Sequence, residues 1–596
     1  PAYAQRIFKV YGQKSIDKVK ADPYRLSADV DGIGFKKADA VAQQMGLDDD
    51  APRRIAAGIE YTLEQMAQMG HSCYPVEGLI KEAAMLLGVA LEGVQKALHD
   101  LIVEGRVLVK QLNYKQQAPK PFVWLKINYQ YEQTIAKEIQ RLQCFEDNLA
   151  VFNYETAIEN SCKKHQITLA EQQEFAVSKS IQEKLHIITG GPGTGKSTIT
   201  KIVLDICSEY SSNILLAAPT GRAAKRLTEI TKKEASTLHS LLVFDFVTRY
   251  FRKNQYDQLD CDVLIIDEAS MIDAFLMSAL LAAIPDRAKL ILVGDIDQLP
   301  SVGAGNVLQD LIQSKQVPVT RLTEIFRQAT NSQIVLNAHK INQGIFPNIA
   351  IDKDSDFFFI SERNPERLIQ HVLGLIDRRL PKAYKFHKFK DIQLLCPMNK
   401  GKIGSIEFNR VLQQKLNPKK TDEDAGVGPK KLVEGDKVIQ TRNNYNKGVY
   451  NGDIGYIKKI QPVDKLLFVE FDNKEVEYEF AELIDLDLAY AVSVHKYQGS
   501  ESPCIIMPIH ENYNRLLFRN LLYTGITRGK RLVVLVGTKE AMSTAIKNNR
   551  AHERYTGLVA LLEDKDKGLP PIQIIPMLGT DGYEDWVNEN FENNYE

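Results

Sequence analysis

The sequence predicts an α/β protein made of two parallel-sheet lobes, with a helical region ahead of them and a small β-barrel inserted into the second lobe. Three observations lead there. Short, wholly apolar runs alternate with amphipathic stretches in two separate sets, the pattern of parallel strands buried on both faces. In the first set, GGPGTGKS (190–197) stands directly between such a run and a helix. In the second set, residues 416–488 switch to short strands of period-two alternation.

Taken in order, residues 1–125 read as small-domain-like and mostly helical. VDGIGFKKADAVA (30–42) puts two glycines in a tight turn before an Ala-rich helix. It resembles a helix–hairpin–helix element, in which backbone N–H groups approach a DNA phosphate; a purely structural turn explains it as well. Residues 76–109 read as two helices and a strand, EGRVLVK, and a second strand follows at PFVWLKINY (121–129). Helices followed by a β-hairpin resemble a winged helix, which serves DNA binding or packing. Residues 126–165 continue as connecting helices.

The first lobe spans 166–335, with strands at LHIIT (185–189), ILLAAP (214–219), VLIID (263–267) and LILVG (290–294). An aromatic stretch beginning VFDFVTRYF, about 243–260, reads as a hairpin projecting from it. The second lobe takes 336–415 and 489–565, with strands at DIQLLCP (391–397), CIIMPI (504–509) and RLVVLVG (531–537). Between its halves, VIQTRNN, IGYIKKI, LLFVEF and EVEYEF form the barrel, with Asn451-Gly452 as a turn. Residues 566–596 are an acidic tail, read as a solvated extension or a binding tail.

Composition narrows the class. Lys+Arg 75 against Asp+Glu 76 excludes a simple polycation but not a basic groove. The tail from Gln573 holds six acids and no base, so the total of −1 without it becomes +5 for the rest. No apolar run is long enough to span a membrane. Seven cysteines, without a CxxC pair, fit a reducing cytoplasm, no disulfide framework and no zinc site. The start at Pro1, without a Met or signal peptide, fits a processed, truncated or engineered end.

GGPGTGKS has the sequence and the context of a phosphate-binding P-loop. Gly191, Pro192, Gly193, Thr194 and Gly195 form the cradle, and N–H groups at the helix start, through Thr198, face the phosphates. Lys196 neutralises the β- and γ-phosphates, and Ser197 holds Mg²⁺. In IIDEAS (265–270), Asp267 at a strand end binds Mg²⁺ through water, and Glu268 is placed as general base for the attacking water. In VGDIDQLP (293–300), Gln298 senses the γ-phosphate or is an exposed polar loop residue. These pieces predict an NTP hydrolase that uses Mg²⁺.

With these residues in view, the chain resembles superfamily 1 helicases of the RecD-like group, the exonuclease V alpha-subunit relatives with an extended N-terminal region. The resemblance runs over roughly residues 3–565. LAEQQEFAV (169–177) is similar to the Q motif, with Gln173 at the adenine-reading position. AAPTGRAAKRL (217–227) resembles motif Ia and STLHSLL (236–242) motif Ic. DEAS and GDIDQLPSVGAGNVL resemble motifs II and III. LTEIFRQA (322–329) resembles motif IV, VSVHKYQGSE (492–501) motif V, and LLYTGITRGK (521–530) motif VI.

The resemblance implies two RecA-like P-loop NTPase domains closing on ATP–Mg²⁺, with an SH3-like inserted barrel. It implies Arg327 and Arg528 as arginine fingers and Glu501 near the ribose. It implies DNA contacts by Thr220, Arg222, Thr237, His239 and His495, although helix capping or core packing explains His239 equally. In TRNNYNKGVYNGD (441–453), Arg442, Asn443 and Lys447 are candidates for backbone contact and Tyr445 or Tyr450 for base stacking; an exposed basic turn is the alternative. Tyr497 departs from the small residue usual in the family, giving a tighter groove or a stacking platform. The implied function is an ATP-dependent DNA helicase moving 5′ to 3′ on single-stranded DNA and opening forks, in repair or recombination. An ATP-switched DNA clamp without unwinding is the alternative, and an RNA-directed motor remains open. A monomeric, cytoplasmic motor is expected, nucleoid-associated or phage-encoded, with protein partners reached through the tail or the N-terminal region and no membrane.

Overall fold

Residues 2–30, 32–114, 118–146, 153–245, 248, 250–325, 331–349, 354–418, 426–444, 446–472, 474–549 and 553–563 are described by the computed structural model. Arg327, Tyr445 and the acidic tail 566–596 therefore lie outside the described residues.

At the N-terminal end, the helices Arg25–Asp29 and Phe35–Gln44 flank the glycine turn, where Gly32 takes a φ of +83° that other residues adopt only with strain. Tyr24, Phe35 and Tyr61 stack in succession, and Leu26, Val30, Ile33 and Ala38 bury beneath them against the long helix Pro52–Gln68. The helices Val76–Leu87 and Leu91–Val103 then lead to a three-stranded antiparallel sheet in the order Tyr74–Pro75, Lys120–Leu125, Val107–Leu112. The expected strand 121–129 is shorter than its apolar run. It stops at Leu125, and Lys126–Gln143 is helix. The reason is periodicity: Tyr129, Glu132, Ile135, Ala136, Ile139 and Leu142 recur at helical spacing and are all buried.

Both lobes have the parallel sheets that the apolar runs imply. The first lobe has six strands in the order Ser236–Thr237, Ile214–Ala218, Val263–Ile266, Lys289–Gly294, Leu185–Gly190, Val319–Leu322. Its central runs, such as VLII, are buried at every position because helices cover both faces. The second lobe has five, in the order Phe357–Ser361, Gly529–Gly537, Ser502–Ile509, Ile392–Cys396, Ala491–Ser493.

The barrel enters after the helix Ser405–Leu416 and returns at Ala491–Ser493, which pairs with Ile392–Cys396. The helix packs on the returning strand, with Asn409 Nδ2 donating to the Ala491 carbonyl (2.8 Å), so entry and exit lie close together and the barrel can sit in the lobe without disturbing it. Its antiparallel strands run Lys474–Glu479, Leu466–Phe471, Ile454–Gln461, Lys437–Gln440, Leu486–Leu488. Along LLFVEF every second side chain is buried, as period-two patterning requires.

Candidate nucleotide cleft and nucleic-acid face

The cleft lies at the C-terminal ends of the first lobe's strands, facing the second lobe. Gly193 and Gly195 hold φ values of +74° and +88°, which let the loop curl around a phosphate-sized space before the helix Lys196–Tyr210 begins. Lys196 folds back so that its Nζ donates to the carbonyls of Gly190 (2.5 Å) and Gly191 (2.9 Å). A cation parked on its own loop's carbonyls, beside a helix N-terminus, fits an anion such as a nucleotide phosphate. Ser197 and Thr198 sit half-buried on the first turn. Thr194 caps the loop through Oγ1 to the Gly191 carbonyl (2.9 Å).

Gln173 is buried under this loop. Its Oε1 accepts from Ala170 N (3.1 Å) and its Nε2 donates to the Thr194 carbonyl (2.9 Å). It therefore braces the P-loop directly, with one amide hydrogen left over.

Asp267 and Glu268 directly follow the strand Val263–Ile266. Burial, and then the charge of Glu268, push the Asp267 carboxyl up to about 6. Two adjacent acids this shielded suit a divalent cation, which would relieve their repulsion. Glu268 sits at φ +53°, a left-handed conformation that turns the chain sharply after Asp267. Its Oε1 lies 3.7 Å from Arg528 Nη1 of the second lobe.

Arg528 is 2% exposed. Its Nη2 donates to Gln298 Oε1 at 2.6 Å, while Nη1 is buried without a hydrogen-bond partner. Glu268, Gln298 and Arg528 thus come together across the lobes, leaving one guanidinium nitrogen available for a further acceptor. Glu501 is held elsewhere, by Arg226 of the first lobe (2.5 Å) and Lys530 (3.2 Å).

The residues expected to face nucleic acid are mostly engaged. Thr220 caps the helix Gly221–Thr231, accepting from Ala223 N (3.3 Å), and Thr237 caps the short helix Leu238–Leu241, accepting from Ser240 N (3.1 Å). His239 packs edge-on against Phe244, whose backbone bridges to Phe251 at the base of the hairpin; burial lowers the affinity of its ring for a proton. Arg222 lies over the Tyr497 ring, 5.6 Å from its centre. Tyr497 is 2% exposed, and its hydroxyl hydrogen-bonds Ser502 Oγ (2.6 Å). The ring is therefore a buried support for Arg222 rather than an open stacking platform.

His495 is exposed on the turn His495–Tyr497. Arg442 is exposed beside Asp485 (3.7 Å), and Asn443 Oδ1 accepts from Asn451 N (2.8 Å), closing the barrel loop. Tyr450 packs against Gly221, so the barrel loop rests on the start of the helix that Thr220 caps. Lys225 of that helix pairs with the barrel's Asp472 (2.9 Å).

Four family models match the chain: an ATP-dependent RecD2 DNA helicase HHH domain at 1–73, an AAA domain at 173–304, an ATP-dependent RecD-like DNA helicase SH3 domain at 408–471, and a UvrD-like helicase C-terminal domain at 488–536. The ATP-dependent RecD2 DNA helicase of Deinococcus radiodurans is 34% identical over 572 residues, covering 94% of this chain and 75% of that protein. This chain belongs to the RecD2-like helicase family. The RecBCD enzyme subunit RecD of Mycobacterium tuberculosis is 30% identical over 434 residues, 67% of this chain and 74% of that one. Among solved structures, a Bacteroides Pif1 helicase in complex with ADP-AlF3 and ssDNA aligns at 21% identity and a TM-score of 0.41, covering 65% of this chain and 96% of that one.

Three cleft residues of this RecD2-like chain escaped the sequence reading. Asp295 is 1% exposed; its Oδ2 accepts from Tyr523 OH (2.8 Å) across the lobes and from Gln298 Nε2 (3.1 Å). Burial pushes its carboxyl up. Tyr523 and His339 close over Gly191, and His339 Nε2 lies 3.3 Å from the Pro192 carbonyl. Asp295 stands three positions before Gln298 in GDIDQ, within the stretch already read as functional. Tyr523 reads as an ordinary core aromatic until the lobes are assembled.

Proposed function

We propose that this RecD2-like DNA helicase uses ATP hydrolysis to translocate 5′ to 3′ on single-stranded DNA and to open the duplex ahead of it. The observation that carries the motor is the cross-lobe contact of Arg528 with Gln298 and Glu268. It makes the hydrolytic arrangement complete only when the lobes meet. Lys196 and the loop N–H groups hold the phosphates; Arg528, with Arg327 as the second finger, stabilises charge developing on the transferred phosphoryl group. Glu268 takes the proton of the attacking water, and Gln298 reports the γ-phosphate to the second lobe. Ser197 and Asp267 would hold Mg²⁺, which neutralises phosphate charge when bound. Gln173 reads the adenine edge from beneath the loop, and Glu501 turns to the ribose once released from Arg226.

Lobe closure and reopening step the protein along one strand. Thr220, Arg222 and Thr237 on the first lobe, and His495 on the second, face the sugar–phosphate backbone, a contact that needs no base code. Arg442, Asn443 and Tyr450 extend that track onto the barrel at 416–488. The helix–hairpin–helix region grips duplex DNA, and the hairpin about 243–260 splits the fork. The protein works as a monomer on single-stranded and forked DNA in a bacterial or phage setting. Among the described residues no helix is long and apolar enough to cross a membrane.

Strand displacement on 5′-tailed, 3′-tailed and blunt duplexes tests this reading. Opening of the 5′-tailed substrate alone is expected. Displacement from 3′ tails reverses the polarity, and ATP turnover without displacement on any tail identifies a clamp instead.

A further inference from the structure

We infer that Arg554 is a positioning residue that ties the loop following the γ-phosphate sensor to the N-terminal region, so that nucleotide state and duplex handling move together. The inference rests on the helicase reading above. The stretch 553–563 follows the second lobe in sequence, yet it lies between the N-terminal region and the first lobe. Its helix Leu558–Glu563 packs on both Lys126–Gln143 and Val307–Ser314.

Arg554 reaches into the loop that begins with Gln298. Its Nη2 donates to the Ser301 carbonyl (2.6 Å), and its Nη1 lies within reach of Ser301 Oγ (3.1 Å) and the carbonyls of Gly303 (3.0 Å) and Gly305 (2.7 Å). The planar guanidinium fork is suited to such a spread of acceptors, and an ammonium is not. Burial lowers Arg554 to about 10, so it stays a cation at neutral pH.

The same loop is held at its start by the second lobe. Leu299 N donates to Thr524 Oγ1 (2.8 Å), and Gln498 Nε2 donates to the Leu299 carbonyl (3.0 Å). One short segment is therefore fixed at one end by Thr524 and Gln498 of the second lobe and at the other by Arg554.

Beyond Arg554 the contacts pass to the N-terminal region. Gly305 N donates to the Gly70 carbonyl (3.0 Å). Tyr555 stacks on His71 with ring centres 5.1 Å apart, and Tyr555 N donates to His71 Nδ1 (3.0 Å). Gly557 N donates to the buried Glu132 carboxylate (3.1 Å). A shift of the loop on lobe closure thus reaches the helix–hairpin–helix and winged-helix-like part of the chain through direct contacts, with Arg554 at the narrowest point.

The test uses the full chain with Arg554→Met and Arg554→Lys. ATP turnover and base pairs opened are measured together on a 5′-tailed duplex. Base pairs opened per ATP should fall by about fivefold or more in both variants, with KM for ATP changed by less than about twofold, the split expected of a coupling residue. A merely structural role would leave that ratio at the wild-type value, and such a result overturns the inference. If Arg554→Met loses its folding transition, His71→Ala weakens the same junction without touching the loop. Loss of coupling in that variant supports the inference, and unchanged coupling overturns it. Wild-type protein without displacement on any tail refutes the helicase reading itself, whereas active wild type with an unaltered variant ratio refutes only the role of Arg554.

Discussion

Replacing Tyr523 with Phe removes one oxygen and leaves the ring volume in place. That oxygen donates at 2.8 Å to Asp295 Oδ2, with both residues buried and on opposite lobes. A hydrogen bond to a charged acceptor contributes about 1.5–3 kcal/mol. The remaining donors to the carboxylate, Gln298 Nε2 and Asp297 N, are each 3.1 Å away and come from the same loop. They stay when the lobes part, so the whole loss falls on closure. At about 1.36 kcal/mol per decade, kcat/KM for ATP should drop roughly tenfold to a hundredfold. The assay is DNA-stimulated ATP hydrolysis across an ATP series, with Asp295→Asn and the double variant completing a cycle. A variant with wild-type kcat/KM, or additive effects in the cycle, would refute the assignment of this bond to closure. A circular-dichroism melt checks that the variant is folded.

Other outcomes follow from the same contacts. Lys196→Ala should abolish DNA-stimulated ATPase activity while single-strand binding persists, and normal unwinding by that variant would remove the P-loop from the motor. A Cβ at Gly221 would fall 2.8 Å from Tyr450 Cβ. Gly221→Ala should therefore lift the barrel loop off the first lobe and, like Tyr450→Ala, lower unwinding per ATP more than basal hydrolysis; unchanged unwinding per ATP in both counts against a role for the barrel. Burial pushes Glu132 up to about 7. A carboxyl raised in the folded state contributes stability that is complete below its unfolded value and is lost as pH rises through 7, at up to about 1.4 kcal/mol per pH unit. Glu132→Gln removes that slope, so wild type should lose urea resistance relative to the variant between pH 5 and 8. Parallel midpoint curves would contradict it.

Much of the architecture could be read from local chemistry. Apolar runs such as VLII announce strands buried on both faces, and LLFVEF announces a half-buried one, because side-chain period follows directly from backbone geometry. Short edge elements were harder. Ser236–Thr237 and Ala491–Ser493 have two and three residues, too few to carry a period. Helix Lys126–Gln143 took over the end of an apolar run because tertiary burial of its helical stripe outweighs the β-prone KINY start.

The sequence alone determined which groups are candidates for the chemistry. A glycine-rich loop ending in Lys-Ser and an apolar strand followed by Asp-Glu are local patterns, so residues 190–197 and 265–270 stood out as candidates without a fold. Only the tertiary structure decided which groups meet. Arg528 with Gln298, Tyr523 with Asp295, and Arg554 with Ser301–Gly305 are separated by about 230 to 250 positions and bond only once distant parts of the chain are packed together. The physical reason is that pattern encodes contacts a few residues apart, whereas a bond between distant segments is selected by the packing of everything between them.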